Sequence, residues 1–321
     1  MMLSRIAESL YWLGRQLERA ENVARMVHVD YHASIESGAL VGHVPRTWDA
    51  LIAATGAGDS FAKAQADDPG RSPADFLVLA RDNPNSIRSI VGRARELART
   101  LRPHISREVW EEINTLHLSL NRRTSVSEYE LYDLCGSIKR SIETVFGLYD
   151  NTVLFDEGRD WFRCGLFIER TDMTSRILDT KYHLLLPTAL EVGGPLDRYQ
   201  WGAILRSASA WEAFRKGGRG EISGARVASM LLFSSDFPRS ARFCVRALLR
   251  HFGNATELTP PPQRVGPQRL ITILDLDLAA MDIRRAMAIG LHEYLDTLQS
   301  RLIEIDRALA NDIFRALPES V

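Results

Sequence analysis

Apolar residues recur every three or four positions along most of this chain, which is the spacing that places side chains on one face of an α-helix. The pattern is clearest near the start, where Leu10, Leu13 and Leu17 follow one another at helical spacing. It predicts a first helix over residues 4–34, with Ser4 as its N-cap. Because no segment shows a convincing period-two alternation, the sequence predicts an all-α fold built as a helical bundle.

Segments rich in glycine, proline and polar residues divide the rest of the chain into further helices. The predicted helices lie at residues 48–54, 83–102, 109–120, 128–149, 161–185 and 270–317. The polar segment 56–72 is predicted to be a loop, and Asp82 and Asp236 are predicted to be helix N-caps.

A long segment of the first helix is repeated later in the chain. Residues 14–32 match residues 165–183 without a gap, at an offset of 151 residues, so that Glu18-Arg19 recurs as Glu169-Arg170. A match of this length predicts an internal duplication. We therefore expect two helical pseudo-repeats that together form one compact unit, at residues 1–154 and 155–321.

Most of the repeated polar residues fall close to one stripe of each helix, since a helix has 3.6 residues per turn, whereas Arg19 projects about 100° away from Glu18. We call this stripe, together with the arginines of the Glu-Arg dipeptides, the polar seam. Its residues are Glu18, Arg19, Glu21, Arg25 and His32 in the first copy and Glu169, Arg170, Asp172, Arg176 and His183 in the second. If the halves pack about a local twofold axis, a glutamate of one half would face an arginine of the other.

Three interpretations of the seam remain open. It can be a buried ionic network that fixes the register of two long helices. It can be a pocket whose arginines bind a carboxylate or phosphate while its carboxylates bind an amine. It can also supply ligands to a carboxylate-bridged metal pair. No metal site is predicted, because four-helix metal bundles use a Glu-x-x-His spacing that neither helix has.

A second motif, Asp-x-Pro-x-Ser-x-Arg, occurs at residues 82–88 and again at 236–242. Each copy is expected to begin a helix, where free backbone N–H groups can bind an anion with help from the serine and arginine. The alternative is simple N-capping. The candidate anion-binding residues are Asp82, Ser86, Arg88, Asp236, Ser240 and Arg242.

Composition narrows the class of protein. The chain has 321 residues, a formal net charge of −1 and 45% apolar residues, which are globular values with no basic footprint for nucleic acid or an anionic membrane. Its three cysteines are far apart and predict buried thiols in a reducing compartment. With no signal-peptide core and no apolar run long enough to span a bilayer, we expect a soluble, cytoplasmic protein.

The opening segment also carries a resemblance. Residues 3–22, Leu-Ser-Arg-x-Ala-Glu-x-Leu-Tyr-Trp-Leu-Gly-Arg-x-x-Glu-Arg-Ala-Glu-Asn, resemble the start of the alpha-E domain family of bacterial all-helical proteins. Asp-Asn-Pro-Asn-Ser at 82–86 and Asp-Phe-Pro-Arg-Ser at 236–240 fit that family too. The resemblance makes Glu18, Arg19, Glu169 and Arg170 the motif residues and assigns them no catalytic role.

Family members resemble partners of circularly permuted ATP-grasp enzymes, which are expected to be carboxylate–amine ligases, and transglutaminase-like proteases often belong to the same systems. The resemblance thus implies an accessory or co-catalytic subunit that handles a peptide or amino-acid substrate. ATP and Mg²⁺ are expected only on the partner ligase, with no cofactor in this chain. The alternatives are a stand-alone enzyme that uses the seam with a metal or as acid and base, and a purely structural adaptor.

Overall fold

The computed structural model describes residues 2–40, 48–183, 192–218 and 220–315. Within these ranges the chain forms α-helices and one π-helical turn, at Leu309–Phe314, without any β-strand, so the all-α prediction is confirmed. The helices are α1 (Ser4–Leu40), α2 (Trp48–Ala54), α3 (Gly58–Asp67), α4 (Pro73–Val78), α5 (Ile87–Thr100), α6 (Arg107–Asn121), α7 (Glu128–Thr152), α8 (Glu157–His183), α9 (Pro195–Ser207), α10 (Trp211–Lys216), α11 (Gly224–Phe233), α12 (Ala241–Ala255), α13 (Pro261–Ala280), α14 (Ile283–Ile289) and α15 (Leu291–Ala308).

The two helices that carry the Glu-Arg dipeptides, α1 and α8, pack against each other at the centre of the bundle. Helices α5 and α7 flank α1, whereas α12 and α15 flank α8. Each central helix also contacts a short helix of the other half, because α9 packs on α1 and α2 packs on α8. A helix enclosed in this way buries polar as well as apolar positions, which explains why Glu18, Glu21 and Glu169 lie inside the protein.

Helices α1 and α8 approach most closely where each has a glycine. A methyl group on Gly14 would overlap the carbonyl oxygen of Phe162, and one on Gly165 would overlap that of Tyr11. The two contacts are equivalent under the sequence match, because Gly14 and Gly165 are 151 residues apart and so are Tyr11 and Phe162. Glycine is therefore required at both crossing positions because any Cβ would push the backbones apart.

The turns after α2 and α9 have the same backbone form. Gly56 has φ +67° and Ser209 has φ +50°, in the left-handed region. The next residue in each turn donates its N–H five residues back, Ala57 to Ile52 at 3.0 Å and Ala210 to Leu205 at 2.7 Å. These positions are 153 residues apart, so the two halves use one local geometry here.

Helix α1 is longer than predicted, and its start differs. It continues to Leu40, and Leu3 precedes the first helical residue and accepts the N–H of Ala7 at 3.1 Å. The prediction that Ser4 is the N-cap was therefore wrong, because Ser4 already lies within the first turn.

The polar segment predicted as a loop contains α3, so that prediction was also wrong. Phe61 of α3 is buried, and its ring lies 4.9 Å from the ring of Phe76. Burial of this one aromatic side chain against α4 gives a polar helix an apolar contact that its composition hides.

The single helix predicted over residues 270–317 is divided in the structure. Asp282 caps α14 by accepting the N–H groups of Arg284 and Arg285, which ends α13 just before it. Gly290, with φ +106°, separates α14 from α15. Periodicity continues through both breaks, so the apolar pattern alone did not show them. In the part of the chain described, no helix is both long enough and apolar enough to cross a membrane.

Candidate functional site

The two Glu-Arg dipeptides pair with each other across the α1–α8 contact. Arg170 donates to Glu18 from Nε to Oε1 (2.9 Å) and from Nη2 to Oε2 (2.7 Å). Arg19 donates to Glu169 in the same bidentate manner, at 2.5 and 3.0 Å. Both glutamates are fully buried. The expectation that a glutamate of one half faces an arginine of the other is thus confirmed.

Around Glu18 the polar groups form a closed set, which we call the Glu18 cluster. Its members are Glu18, Glu21, Asn22, Arg25, Arg170 and Arg239. Arg239, from the segment before α12, donates to Glu18 (2.8 Å) and to Glu21 (3.2 Å), so one guanidinium bridges two buried carboxylates. Arg25 is paired with Glu21 one turn away and donates to the carbonyl of Ser207 at 3.2 Å.

Around Glu169 the corresponding groups are Arg15, Arg19, Glu169, Asp172 and Arg176, which we call the Glu169 cluster. Arg15 donates to Glu169 at 2.8 Å and to Asp306 of α15 at 2.7 Å. Arg176 donates to Asp172 at 2.8 Å. This cluster borders a cavity of about 170 Å³, lined also by Ala54, Thr55, Gly56 and Asn85.

A larger groove of about 1220 Å³ runs between α1 and α5. Trp12, Leu97 and Arg93 lie on its walls. Arg19 lines both this groove and the smaller cavity. The motif arginine that holds Glu169 is therefore part of an open surface, with 24% of its side chain exposed.

A family model described as a predicted alpha-helical domain with a conserved ER motif matches residues 2–314. This chain belongs to the Alpha-E family. Uncharacterized proteins of Mycobacterium bovis and Mycobacterium tuberculosis are 25% identical in an alignment of 259 positions that covers 74% of this chain and 28% of each relative. This chain thus spans little more than a quarter of the length of these curated relatives. No solved structure gave a significant match.

The electrostatics of the Alpha-E motif favour ionised carboxylates. Burial opposes ionisation of Glu18, but the guanidinium groups of Arg170 and Arg239 outweigh it and hold its pKa well below the ordinary value. Burial likewise opposes ionisation of Glu169, whose pKa is lowered by Arg19 and Arg15. A carboxylate that stays ionised at neutral pH is a poor general acid and a weak base, so the geometry suits binding and positioning rather than proton transfer.

The metal interpretation of the Alpha-E seam finds no support in these contacts. Glu18 and Glu169 each accept hydrogen bonds from two guanidinium groups, and a metal ion ligated by these carboxylates would have to displace those donors. The side chains of His32 and His183, the predicted seam histidines, lie outside the described residues.

One triad elsewhere in the described chain has metal-compatible spacing. Asp179, His292 and Asp296 place ligand atoms within 4.8 Å of one another. His292 lies 2.7 Å from Asp179, and this hydrogen bond raises the pKa of His292. The hydrogen bond between His292 and Asp179 accounts for the proximity of these two side chains without a metal ion.

None of the candidate anion-binding residues shares a described hydrogen bond with a seam residue. Asp82 and Asp236 are exposed and are not N-caps, which corrects the prediction: Ser86 caps α5 and Ser240 caps α12. Both serines also donate to a carbonyl six residues back, Ser86 to Ala80 and Ser240 to Ser234, each at 2.5 Å.

The two arginines of this motif contact backbone carbonyls. Arg88 donates to Leu120 at 2.7 Å and also to Arg123, whereas Arg242 lies 3.5 Å from Phe233. Partners within the chain account for the recurring serine and arginine, and anion binding at these helix starts stays a prediction.

Three side chains that complete the seam were not identified from the sequence, namely Arg15, Arg239 and Asp306. Arg15 lies one helical turn before Arg19, so the helical stripe could have included it. Arg239 stands at an x position of the second Asp-x-Pro-x-Ser motif, where the first copy has Asn85. The change from asparagine to arginine between the two copies is the signal in the sequence that could have identified Arg239. Nothing near Asp306 distinguishes it from other acidic residues of a terminal helix.

Proposed function

We propose that this Alpha-E chain is an accessory or co-catalytic subunit of an ATP-grasp-type carboxylate–amine ligase, and that its seam binds a peptide or amino-acid substrate. One observation carries the proposal: Arg19, half of a buried motif pair, also forms the wall of the 1220 Å³ groove and of the Glu169 cavity. A residue fixed by a buried carboxylate is a rigid binding group, because its rotamer is already set before a ligand arrives.

A ligase of this class must bring a carboxylate, an amine and ATP together. In the proposed complex, ATP and Mg²⁺ lie on the partner, and the Alpha-E bundle positions one of the two reacting molecules. The ionised, arginine-bound state of Glu18 and Glu169 supports a positioning role over acid–base chemistry. The greater length of the mycobacterial relatives is consistent with an Alpha-E unit that works beside further domains.

Affinity purification of the tagged chain from its native host, with mass spectrometry of the co-purifying proteins, tests the association. The complex is then assayed for ADP release with amino acids and peptides. We expect an ATP-grasp ligase, with a transglutaminase-like protease as a further candidate. ADP release should fall in Arg19→Gln and stay unchanged in Arg107→Gln, an exposed arginine of α6.

If no ligase co-purifies, the association is wrong. If a ligase co-purifies and folded Arg19→Gln supports full ADP release, the seam does not take part. The burial of Glu18, Glu21, Asn22 and Arg25 in the Glu18 cluster favours a second candidate, a structural adaptor, and that last outcome would select it. Stoichiometric iron, manganese or zinc in the purified protein would instead favour a stand-alone metal enzyme.

A further inference from the structure

The Glu18 and Glu169 clusters differ at one decisive position. In the Glu18 cluster, Arg239 bridges the two carboxylates. The matching residue of the first half, in the Asp-x-Pro-x-Ser motif, is Asn85. Its amide donates to the carbonyl of Thr55 at 3.1 Å and makes no hydrogen bond to Glu169 or Asp172 among the described contacts. The cavity of about 170 Å³ lies at this place.

The hydrogen-bond acceptors around this cavity are incompletely used. Oε1 of Glu18 accepts from Arg170, Asn22 and Arg239. Within the described residues, Oε1 of Glu169 accepts only from Arg19, and Met173 replaces the asparagine.

Asp172 corresponds to Glu21 and is one methylene shorter. Its Oδ2 accepts from Arg176, whereas the described contacts give its Oδ1 no donor. Within the described contacts, Oδ1 of Asp172 is therefore available, and Oε1 of the buried Glu169 accepts one hydrogen bond where Oε1 of Glu18 accepts three, at the position that Arg239 fills in the other half.

The charges of the two clusters match before the bridging group is added. Glu18 and Glu21 face Arg25 and Arg170, and this neutral set accepts a third guanidinium. Glu169 and Asp172 face Arg19 and Arg176, which is again two of each sign. The additional Arg15 is shared between two carboxylates, because it donates to Asp306 as well as to Glu169. The Glu18 cluster shows that two carboxylates paired with two arginines can accept one more guanidinium, which there is that of Arg239.

We propose that the Glu169 cavity binds a guanidinium group of a ligand, between Glu169 and Asp172. The planar guanidinium suits two carboxylates because it offers N–H donors in two directions, as Arg239 does. An anion fits less well, since two carboxylates border the space and Nε and Nη2 of Arg19 are engaged by Glu169. This inference deepens the proposed function, and the claim that the ligand is a substrate rests on that function. The binding of a guanidinium group itself requires no partner protein.

Isothermal titration calorimetry of the full chain with methylguanidine tests the proposal. We expect saturable binding that Asn85→Arg abolishes, because the new side chain supplies the missing guanidinium internally. Asp172→Asn, which removes one charge, should weaken binding about tenfold. Binding that survives in folded Asn85→Arg would overturn the assignment, as would no heat with methylguanidine at tens of millimolar, or saturable binding of acetate or phosphate instead.

The matched variant in the other half is Arg239→Asn, which should open the corresponding space between Glu18 and Glu21. We expect a lower Tm that methylguanidine partly restores, at an ionic strength held constant with sodium chloride. Equal effects of methylguanidine and sodium chloride would contradict the proposal.

Two sources of the guanidinium are distinguished by comparing free L-arginine with N-acetylarginine amide, which lacks the charged termini. Tighter binding of the amide indicates an arginine within a peptide. A chain that binds methylguanidine but recovers no ligase would keep this inference and refute the proposed function, and the reverse pattern would do the opposite.

Discussion

Arg170 binds Glu18 through two parallel hydrogen bonds, although 152 residues separate them along the chain. Glu18 is fully buried and so is most of the arginine, at 13% exposure. A bidentate pair of this kind fixes both distance and rotation between α1 and α8. The dipeptide that defines the family thus works as half of an interhelical contact, and its other half is the same dipeptide in α8.

Removal of the buried negative charge of Glu18 should lower the free energy of unfolding. Glu18→Gln leaves Arg170 and Arg239 beside a neutral amide, and breaking a buried ion pair from one side costs about 3–5 kcal/mol. Urea denaturation followed by circular dichroism measures the free energy of unfolding. The control is Glu111→Gln, whose partner Arg107 is 83% exposed, and we expect no measurable change there. Equal effects of the two substitutions would show that the buried pair is not special.

Acid should destabilise the protein by protonating the buried carboxylates of Glu18 and Glu169. The pKa of Glu18 and of Glu169 is lower in the folded chain than in the unfolded chain, where it is about 4.3. Their contribution is therefore fully present above about pH 5 and is lost as the pH falls below it. Denaturation curves at several pH values between 7 and 3 should show this loss, with a flatter profile for Glu18→Gln. Parallel profiles for the two proteins would contradict the assignment.

The helices and the repeated Glu-Arg segment could be predicted because each leaves a signal in the sequence itself. Helical periodicity needs only neighbouring residues, and the single offset of 151 residues places Glu18 and Glu169 at matching positions. The reciprocal pairs then follow from a twofold arrangement. Which arginine would face which glutamate was open, because that depends on the helix crossing at Gly14 and Gly165.

The missed or wrong predictions concern residues whose structure depends on contacts with residues far away in the sequence. Arg239 reaches Glu18 from 221 residues away, and its one mark in the sequence is that it stands where the first copy of the motif has Asn85. The segment 56–72 looked polar because Phe61 is its one large apolar residue, and the partner of Phe61, Phe76, lies in the next helix. The difference between the two clusters involves Asn85 and Arg239, whose contacts only the folded chain defines.

The caps of α5 and α12 give a test that separates sequence prediction from structure. Ser240 is fully buried, and its Oγ accepts the N–H of Phe243 at 3.1 Å and donates to Ser234. Ser240→Ala should therefore cost about 2 kcal/mol, from the lost cap and the unpaired carbonyl. Asp236→Asn, at the residue predicted as the cap, should be nearly neutral. Thermal and urea denaturation of both variants measure the difference, and the opposite order would restore Asp236 as the cap.

The two left-handed turn residues offer a matched pair of substitutions. Ser209 is exposed with φ +50°, a conformation that costs an L-residue about 1–2 kcal/mol, so Ser209→Gly should stabilise the fold by up to about 1 kcal/mol despite the greater freedom of glycine in the unfolded chain. Gly56→Ala should destabilise it by about 1 kcal/mol, although the nearest atom to the new methyl group, on Asn85, is 3.9 Å away. Shifts of the same sign in urea denaturation midpoints would show that contacts, rather than φ, decide.

The helix crossing should be the least tolerant place in the molecule. In Gly165→Ala the added methyl group overlaps the carbonyl oxygen of Tyr11, which belongs to the backbone of α1 and cannot rotate away. We expect a loss of about 3 kcal/mol or more, since relief requires α1 and α8 to separate and the pairs at Glu18 and Glu169 depend on their spacing.

Gly147→Ala is the matched control for the crossing, because this exposed position of α7 has no neighbouring atom within 4 Å. There alanine should stabilise the helix by about 0.5–1 kcal/mol. Urea denaturation of both variants gives the comparison. A Gly165→Ala protein as stable as the parent would mean that α1 and α8 do not approach through their glycines, and the reciprocal pairing of the Glu-Arg dipeptides would lose its geometric basis.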